Sequence, residues 1–84
     1  MSDLTSRFEA AMAESKNLTD RPDNATLLKL YALYKQGSAG DNAEPRPGLS
    51  DPVARAKWDA WNALKGTAVD AAQIRYIELV DALE

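Results

Sequence analysis

Both tryptophans of this 84-residue chain lie in one short stretch, Ala56–Gly66, which reads AKWDAWNALKG. At about 100° per residue on an α-helix, Trp58, Trp61 and Leu64 fall on one arc. Lys57 falls inside that arc, where the spacing alone would favour an apolar residue. A lysine in such a place either extends its ammonium group to water or binds an anion. The stretch therefore predicts a helix held by aromatic side chains, with one cation in an unusual position.

A second stretch, Leu27–Gln36, has the same pattern and reads LLKLYALYKQ. On a helix, Leu28, Tyr31 and Lys35 share one face, so a lysine again stands among aromatic and aliphatic neighbours. No acidic residue occurs between positions 23 and 41, so nothing within this helix neutralises its cations. Two such helices indicate an apolar surface that carries fixed positive charge.

The composition excludes several classes of function. The chain contains no cysteine and no histidine, and it therefore lacks thiolate metal sites, disulfides and the commonest general base. We expect no catalytic residue, no metal and no cofactor. A net charge of -3 and a pI near 4.8 argue against nucleic acid as a partner. No apolar run approaches the roughly 18 residues of a membrane span, and the N-terminus has no secretory pattern. We expect a cytoplasmic monomer without stable membrane insertion.

Helix start signals divide the chain into helical segments of one domain, residues 1–84. Ser2 or Asp3 is expected to cap a first helix over Leu4–Lys16. Asp23 is expected to cap a second helix over Asn24–Ser38. The helix faces predict a core formed mainly by Leu4, Phe8, Ala11, Met12 and Ser15 of the first helix and by Val69, Ala72, Tyr76, Leu79, Val80 and Leu83 of the last.

The second half of the chain begins with an irregular connection, Gly40–Ser50. Gly37 and Gly40 are expected to end or fray the second helix. The connection contains two prolines and is too long for a simple turn, so we expect an ordered loop packed on the helices. Arg46 within it either pairs with a carboxylate or meets an anion, and the pairing is favoured.

Two further start signals follow this loop. Ser50-Asp51-Pro52 predicts a third helix that runs to Lys65 and stops at Gly66. Thr67–Asp70 has the form of a capping box for a fourth helix. No strand pattern competes, and the fold class is therefore all-α with four helices. The long loop between the second and third helices permits non-adjacent helices to pair.

The motifs in their order resemble one family. YALYKQ, then GD at Gly40-Asp41, RPG at Arg46–Gly48, AKWDAWNALKGT and finally Tyr76 are similar to the acyl-CoA-binding protein family. The resemblance covers nearly the whole chain. It implies a four-helix acyl-CoA-binding-protein-like bundle with a long loop between helices 2 and 3.

The resemblance also implies a function and a set of ligand-binding residues. The function is non-catalytic binding, shielding and intracellular transport of medium- to long-chain fatty acyl-CoA thioesters. By resemblance, Tyr31 and Lys35 contact the 3′-phosphate region, and Lys57 lies over the adenine and phosphates. Tyr34 packs by the adenine nucleotide, and Tyr76 reaches the ligand near the thioester. The matching secondary positions, along the adenine edge and the acyl groove, are Met12, Lys16, Arg21, Leu27 and Leu28.

One position departs from the family pattern. Many members carry a lysine where this chain has Val53. The missing cation either weakens phosphate contact or is compensated by Arg55 nearby.

Each candidate also has a purely structural interpretation. The three tyrosines would be core residues by default, and the tryptophans are expected to remain so. Lys16 and Arg21 would be ordinary solvated cations. Two other functions stay open: a helical protein-interaction domain that uses an apolar face of the second helix, and an enzyme of acyl-CoA metabolism, since the family's domain also occurs joined to catalytic domains. Without cysteine or histidine, the enzyme hypothesis is weak.

Overall fold

The computed structural model describes residues 3–84, which form four α-helices and no strand. None of these helices combines the length and the apolar character that crossing a membrane requires. The bounds are α1 (Leu4–Ser15), α2 (Asn24–Ala39), α3 (Pro52–Asn62) and α4 (Val69–Leu83).

Aspartate side chains cap three of the four helices. Asp3, Asp23 and Asp51 each accept a hydrogen bond from the backbone N–H three residues ahead, at 2.8, 2.8 and 3.2 Å. These bonds favour the ionised carboxylate and hold the pKa of Asp3 and of Asp23 below its ordinary value. The predicted caps at positions 3 and 23 are confirmed, and the alternative, Ser2, lies outside the described residues.

The third helix is shorter than predicted. It ends at Asn62 and not at Lys65, because the N–H groups that follow Ala63 bond three residues back instead of four. Leu64 donates to the carbonyl of Trp61 at 3.0 Å, and Lys65 donates to that of Asn62 at 3.1 Å. This tightening leads to Gly66, whose φ of 91° lies in the left-handed region that glycine favours.

The predicted capping box of the fourth helix does not form. The helix begins at Val69, its cap position is Ala68, and no side chain caps it. Thr67 lies one position too early, and its carbonyl accepts a hydrogen bond from the Gln36 side chain at 2.8 Å. A long-range contact thus fixes this junction in place of a local cap.

Glycines have two different roles in α2. Gly40 ends the helix with a φ of 82°, as predicted, but the helix passes through Gly37 without interruption. Gly37 is buried, and a Cβ atom there would lie 3.0 Å from Gln73 Cγ and 3.1 Å from Phe8 Cζ. The missing side chain therefore permits α2 to approach the other helices closely.

The helices pack out of sequence order. α2 packs against both α3 and α4, and α1 packs against α4. The predicted pairing of non-adjacent helices is confirmed. The buried cluster comes from α1, α2 and α4, and its members are Phe8, Ala11, Leu30, Leu33, Ala72, Tyr76, Ile77 and Val80.

The two tryptophans hold the loop between α2 and α3. Trp61 is buried, as predicted, and its indole N–H donates to the carbonyl of Gly40 at 2.9 Å. Trp58 is only half-buried, so its assignment to the core is wrong. Its indole N–H donates to the carbonyl of Glu44 at 2.7 Å, and the ring supports the loop instead of the interior.

Arg46 in this loop pairs with a carboxylate, which was the favoured alternative. Two of its nitrogens donate to the two carboxylate oxygens of Asp59, at 3.0 and 2.9 Å. The bidentate contact holds the pKa of Asp59 below its ordinary value. Both side chains are about half exposed, and such pairs contribute little stability at the surface.

A buried amide joins the ends of three helices. Gln36, which has no exposed surface, donates to Asp41 Oδ1 at 2.9 Å and to the carbonyl of Thr67 at 2.8 Å. The same Asp41 oxygen accepts the N–H of Gly66 at 2.9 Å. First the Gly66 N–H and then the Gln36 amide lower the pKa of Asp41. The ends of α2 and α3 and the start of α4 are thereby fixed together.

Replacing Gly37 with alanine should destabilise the fold. The new methyl group meets the buried ring of Phe8 and the half-buried side chain of Gln73 at once. Overpacking of this kind costs about 1–3 kcal/mol. The gain in helix propensity returns only about 1 kcal/mol. Urea unfolding of Gly37→Ala should therefore show a net loss of up to about 2 kcal/mol. The matched control is Gly48→Ala, because only Ser50 Oγ, at 3.9 Å, lies near a Cβ there.

Asp41 should make folding sensitive to acid. Its pKa in the folded protein lies below the ordinary value of 3.8, so its stabilisation is complete above that value and disappears as the pH falls through the lowered pKa. Asp41→Asn should lower the Tm near pH 7 and flatten the fall of Tm between about pH 5 and pH 2. Asp20→Asn, in an exposed loop, is the control. If Tm falls with pH in Asp41→Asn as steeply as in the parent, Asp41 is not a source of the acid sensitivity.

Candidate functional site

Two clefts adjoin one another along α2. The aromatic cleft has a volume of about 370 Å³ and is lined by Met12, Ser15, Lys16, Pro22, Leu27, Leu30, Tyr31, Tyr34 and Tyr76. The basic cleft has a volume of about 500 Å³ and is lined by Arg21, Asn24, Leu27, Leu28, Tyr31, Pro52, Val53, Ala56 and Lys57. Leu27 and Tyr31 belong to both clefts and form the wall between them.

The structure brings together nearly all of the predicted site residues. Six of the ten line the aromatic cleft, namely Met12, Lys16, Leu27, Tyr31, Tyr34 and Tyr76. The basic cleft adds Arg21, Leu28 and Lys57. Lys35 lines neither cleft. The spacing of the α2 residues explains this grouping, because positions three and four apart lie on one helix face.

Lys57 of α3 reaches across to α2. Its ammonium nitrogen lies 5.4 Å from the centre of the Tyr31 ring, and its side chain is exposed. The negative face of an aromatic ring attracts a cation at this distance, with about 0.5–1 kcal/mol at exposed sites. The contact holds a positive charge over the wall between the two clefts.

Lys35 is directed to a different ring. Its ammonium nitrogen lies 4.8 Å from the centre of the Trp61 ring, and its side chain is half-buried. It follows Tyr31 by four positions on α2, so its stem lies on the same side of the helix. Within residues 3–84, the only ion pair is Arg46–Asp59. The ammonium groups of Lys35 and Lys57 therefore lie against rings and not against carboxylates.

Tyr76 belongs to the core and to the site at once. It is only 4% exposed, yet it lines the aromatic cleft. The Phe8 ring meets it edge to face, with 5.2 Å between ring centres. Its hydroxyl donates to Ser15 Oγ at 3.1 Å, and Ser15 Oγ donates to the Met12 carbonyl at 2.7 Å. The hydroxyl of Tyr76 is thus fixed between α4 and α1.

Several lining residues were not predicted. The aromatic cleft also uses Ser15, Pro22 and Leu30, and the basic cleft also uses Asn24, Pro52, Val53 and Ala56. Ser15 could have been found, because it shares a helix face with Met12. Leu30 could have been found in the same way, because it follows Leu27 by three positions on α2. The α3 residues depend on how α2 lies against α3, which the spacing within one helix does not report.

Acidic residues gather away from both clefts. Glu14, Asp81 and Glu84 place carboxylate oxygens within 4.8 Å of one another, and all three side chains are exposed. The proximity of Glu14 and then of Asp81 raises the pKa of Glu84. None of the three lines the aromatic or the basic cleft, whose charged residues are all cationic.

Removing the Tyr76 hydroxyl should lower the free energy of unfolding but leave the protein folded. Tyr76→Phe keeps the ring against Phe8 and loses the bond to Ser15, so urea unfolding should show a loss of about 0.5–1.5 kcal/mol. Tyr34→Phe is the control, because that side chain is 39% exposed and should unfold like the parent. Equal stability of the two variants would show that the Tyr76–Ser15 bond contributes nothing.

Comparison with known proteins identifies a family for this chain. The family described as "Acyl CoA binding protein" has a model that matches residues 5–80. The Drosophila melanogaster protein named "Acyl-CoA-binding protein homolog" is 48% identical over 80 residues, which are 95% of this chain and 93% of that protein. The human "Enoyl-CoA delta isomerase 2" is 47% identical over 76 residues, but these cover only 19% of that protein.

Solved structures with a similar fold have names of the same kind. The crystal structure of Oryza sativa Acyl-CoA-Binding Protein 2 superposes with a TM-score of 0.91 at 39% identity, and the match covers 95% of this chain and 87% of that one. The solution structure of the yeast Acyl Coenzyme A Binding Protein superposes with a TM-score of 0.73 at 43% identity, over 90% of this chain and 88% of that one. The predicted family and four-helix architecture are confirmed.

Proposed function

This chain belongs to the acyl-CoA-binding protein family, and from that premise we propose that it binds fatty acyl-CoA thioesters of medium to long chain length. It shields and carries them without catalysing a reaction. The observation that carries the proposal is the pair of adjoining clefts, whose walls are largely apolar and aromatic and whose charged lining residues, Lys16, Arg21 and Lys57, are all cations.

The chemistry of the ligand fits both clefts. Coenzyme A carries roughly four negative charges on its phosphates, together with a flat adenine, and the acyl tail is apolar. An anionic head needs fixed cations that have no competing carboxylate, and a tail needs apolar walls. The basic cleft supplies Arg21 and Lys57 with no acid among its lining residues. The aromatic cleft supplies the apolar side chains of Leu27 and Leu30, and it supplies the ring of Tyr34 as a flat surface for the adenine.

We assign the residues accordingly. Tyr31 and Lys35 contact the 3′-phosphate region, and Lys57 lies over the adenine and phosphates. Tyr34 packs by the adenine nucleotide, and Tyr76 reaches the ligand near the thioester. The secondary contacts are Met12, Lys16, Arg21, Leu27 and Leu28. Lys35 fits this assignment although it lines neither cleft, because its stem follows Tyr31 on the same side of α2. A phosphate offers both ammonium groups a stronger partner than an aromatic ring does.

The chemistry of the clefts agrees with a protein that carries acyl-CoA without attacking its thioester. A nucleophile needs an adjacent base. The candidate nucleophile in the aromatic cleft is the Ser15 hydroxyl, and it donates a hydrogen bond to the Met12 carbonyl. Its own oxygen accepts from Tyr76, so no base is placed to activate it. We further propose that the carrier acts as a monomer in the cytoplasm. One copy supplies both clefts, and a chain without cysteine needs no oxidising compartment.

A protein-interaction domain is the competing proposal. An apolar groove of about 370 Å³ lies between α2 and α3, and its lining residues are Leu28, Lys29, Ala32, Leu33, Ala60, Ala63 and Leu64. Such a groove suits a partner helix. A partner helix in this groove would not explain why the ammonium groups of Lys35 and Lys57 lie over aromatic rings and not beside carboxylates. We therefore favour the carrier.

Calorimetry with palmitoyl-CoA tests the proposal directly. We expect saturable heat with one ligand per chain at micromolar concentrations. Absence of heat and of saturation would reject the carrier in favour of the interaction domain. Sedimentation of the loaded protein should give the mass of one chain, and a dimer would contradict the monomer.

The two site lysines should each contribute to affinity. Lys57→Ala and Lys35→Ala remove charge-assisted contacts with phosphate worth about 1.5–3 kcal/mol, so the Kd should rise about ten- to a hundred-fold by calorimetry. Lys29→Ala is the matched control, since Lys29 is exposed on the same helix and lines neither cleft of the site. Unchanged affinity in both site variants, with normal melting, would show that these lysines only extend to water.

A longer acyl chain should raise the affinity of an acyl-CoA until the chain covers the whole apolar wall of the clefts. Each buried methylene contributes up to about 0.8 kcal/mol, so a series of acyl-CoA thioesters should bind progressively more tightly and then level off. Coenzyme A alone should bind much more weakly than palmitoyl-CoA. Equal affinity for the two would remove the acyl half of the proposal and leave only the phosphate half.

The thioester should survive in the complex. With no thiol or imidazole in the chain, free thiol should appear no faster from palmitoyl-CoA with stoichiometric protein than from buffer alone. A thiol-reactive dye follows the release. Faster release with protein would overturn the carrier and indicate an esterase.

A further inference from the structure

A serine interrupts the apolar stripe of α1 at the point where α1 borders the aromatic cleft. The stripe has Phe8 and Ala11 at buried positions, and Ser15 follows Ala11 one turn later. Ser15 is half-buried and lines the cleft, and its oxygen lies 3.1 Å from the hydroxyl oxygen of Tyr76. We name these two groups the hydroxyl pair. They place two polar oxygens in a cleft whose walls are largely apolar and aromatic.

The end of α1 determines where the protons of the hydroxyl pair lie. In a continuing helix the Lys16 N–H would bond to the Met12 carbonyl, but it bonds to the Ala13 carbonyl at 3.3 Å instead. The Ser15 hydroxyl donates to the Met12 carbonyl at 2.7 Å and satisfies it in place of that N–H. Since the serine proton is engaged there, the proton between the two oxygens of the pair belongs to Tyr76.

The hydroxyl pair can accept further hydrogen bonds but has none to donate. A hydroxyl group has one proton and a second capacity as an acceptor. Both protons are engaged within the chain, and among residues 3–84 no other donor bonds to either oxygen. The lone pairs that remain suit an O–H or N–H group of a ligand, whereas a carbonyl oxygen would meet only lone pairs. In an apolar cleft that mismatch is costly, because oxygens on both sides lose water without gaining a partner.

We propose that the hydroxyl pair makes this carrier selective for the group on the third carbon of the acyl chain, so that 3-hydroxyacyl-CoA is preferred to 3-oxoacyl-CoA. The inference rests on the proposed function, which places Tyr76 near the thioester and therefore places the first carbons of the acyl chain beside the pair. A 3-hydroxyl group donates to the pair, and a 3-oxo group has no proton to give. A site built to pair with a ligand hydroxyl discriminates against the analogue that lacks it.

Ser15 is a positioning residue in this selectivity. It acts through Tyr76, because its oxygen holds the tyrosine proton away from the ligand. Without that acceptor, the Tyr76 hydroxyl could turn its proton toward a carbonyl oxygen of the ligand. The residue that determines specificity is therefore the serine, although the tyrosine makes the contact.

Calorimetry with three matched ligands tests the selectivity in the parent protein. 3-Hydroxypalmitoyl-CoA, palmitoyl-CoA and 3-oxopalmitoyl-CoA share the coenzyme and the chain length. We expect the 3-hydroxy ligand to bind about three- to tenfold more tightly than palmitoyl-CoA, which is the effect of one hydrogen bond. The 3-oxo ligand should bind more weakly than palmitoyl-CoA. Lys16, Tyr31 and Tyr34 also line the cleft, and their donors are the same in every variant, so a change between variants reports on the hydroxyl pair.

The matched variants are Ser15→Ala and Ser38→Ala. Ser15→Ala frees the Tyr76 proton for the ligand, so the ratio of the Kd values of the 3-oxo and 3-hydroxy ligands should fall by about tenfold or more. A loss of stability alone would weaken all three ligands and leave that ratio unchanged. Ser38 also donates to a carbonyl of its own helix, that of Tyr34 at 2.7 Å, but it is exposed and lines neither cleft. Its variant should keep the ratio of the parent.

Two outcomes would overturn the proposal. One is equal affinity of the parent for the 3-hydroxy and 3-oxo ligands, and the other is an unchanged ratio in Ser15→Ala. If Ser15→Ala weakened all three ligands and coenzyme A alone by one factor, the pair would be bonded to an amide N–H of the coenzyme, and the selectivity for the acyl group would be refuted. Failure of the proposed function is distinguishable from these results, because the parent would then bind none of the three ligands.

Discussion

The buried amide of Gln36 fixes how α2 meets the rest of the molecule. Its two N–H bonds and the Asp41 carboxylate join the ends of α2 and α3 to the start of α4. In a low-dielectric interior such bonds are strong, and leaving one unmade is costly. This junction holds the end of α3 against the end of α2, because the Asp41 carboxylate accepts the N–H of Gly66. That position determines whether Lys57 can lie over Tyr31, so a polar contact at one end of the bundle supports the site between the helices.

A domain of this size cannot keep its core and its site apart. Tyr76 packs on Phe8 and lines the aromatic cleft, and Leu30 is at once core and cleft wall. A short chain buries too little surface to reserve residues for binding alone. The site consequently inherits the rigidity of the core, and substitutions of the shared residues Tyr76 and Leu30 will change stability and affinity together.

Local signals were predictable from the sequence, and tertiary ones were not. The Asp23 cap and the stripe around Phe8 depend on neighbours within one helix, and both are confirmed. The early end of α3 comes from hydrogen bonds that span three residues instead of four, which the pattern of apolar residues does not report. The junction before the uncapped start of α4 is fixed by Gln36, which lies 31 positions before Thr67. For the site, the resemblance to the family predicted most of the residues that line the two clefts, and helix spacing supported those on α2. Spacing within a helix has no information about contacts between helices. It could not predict that Tyr76 would bond to Ser15, which lies 61 positions earlier.

The pairing of α1 with α4 has a consequence for how the chain acquires its structure. Half of the buried cluster, Ala72, Tyr76, Ile77 and Val80, comes from the last helix, on which both α1 and α2 pack. Contacts so distant in sequence require a large loop to close before they stabilise anything. During synthesis, α1 and α2 therefore leave the ribosome without their main partner. Cooperative folding waits until α4 has emerged, and the apolar faces of the first two helices stay open to chaperones until then.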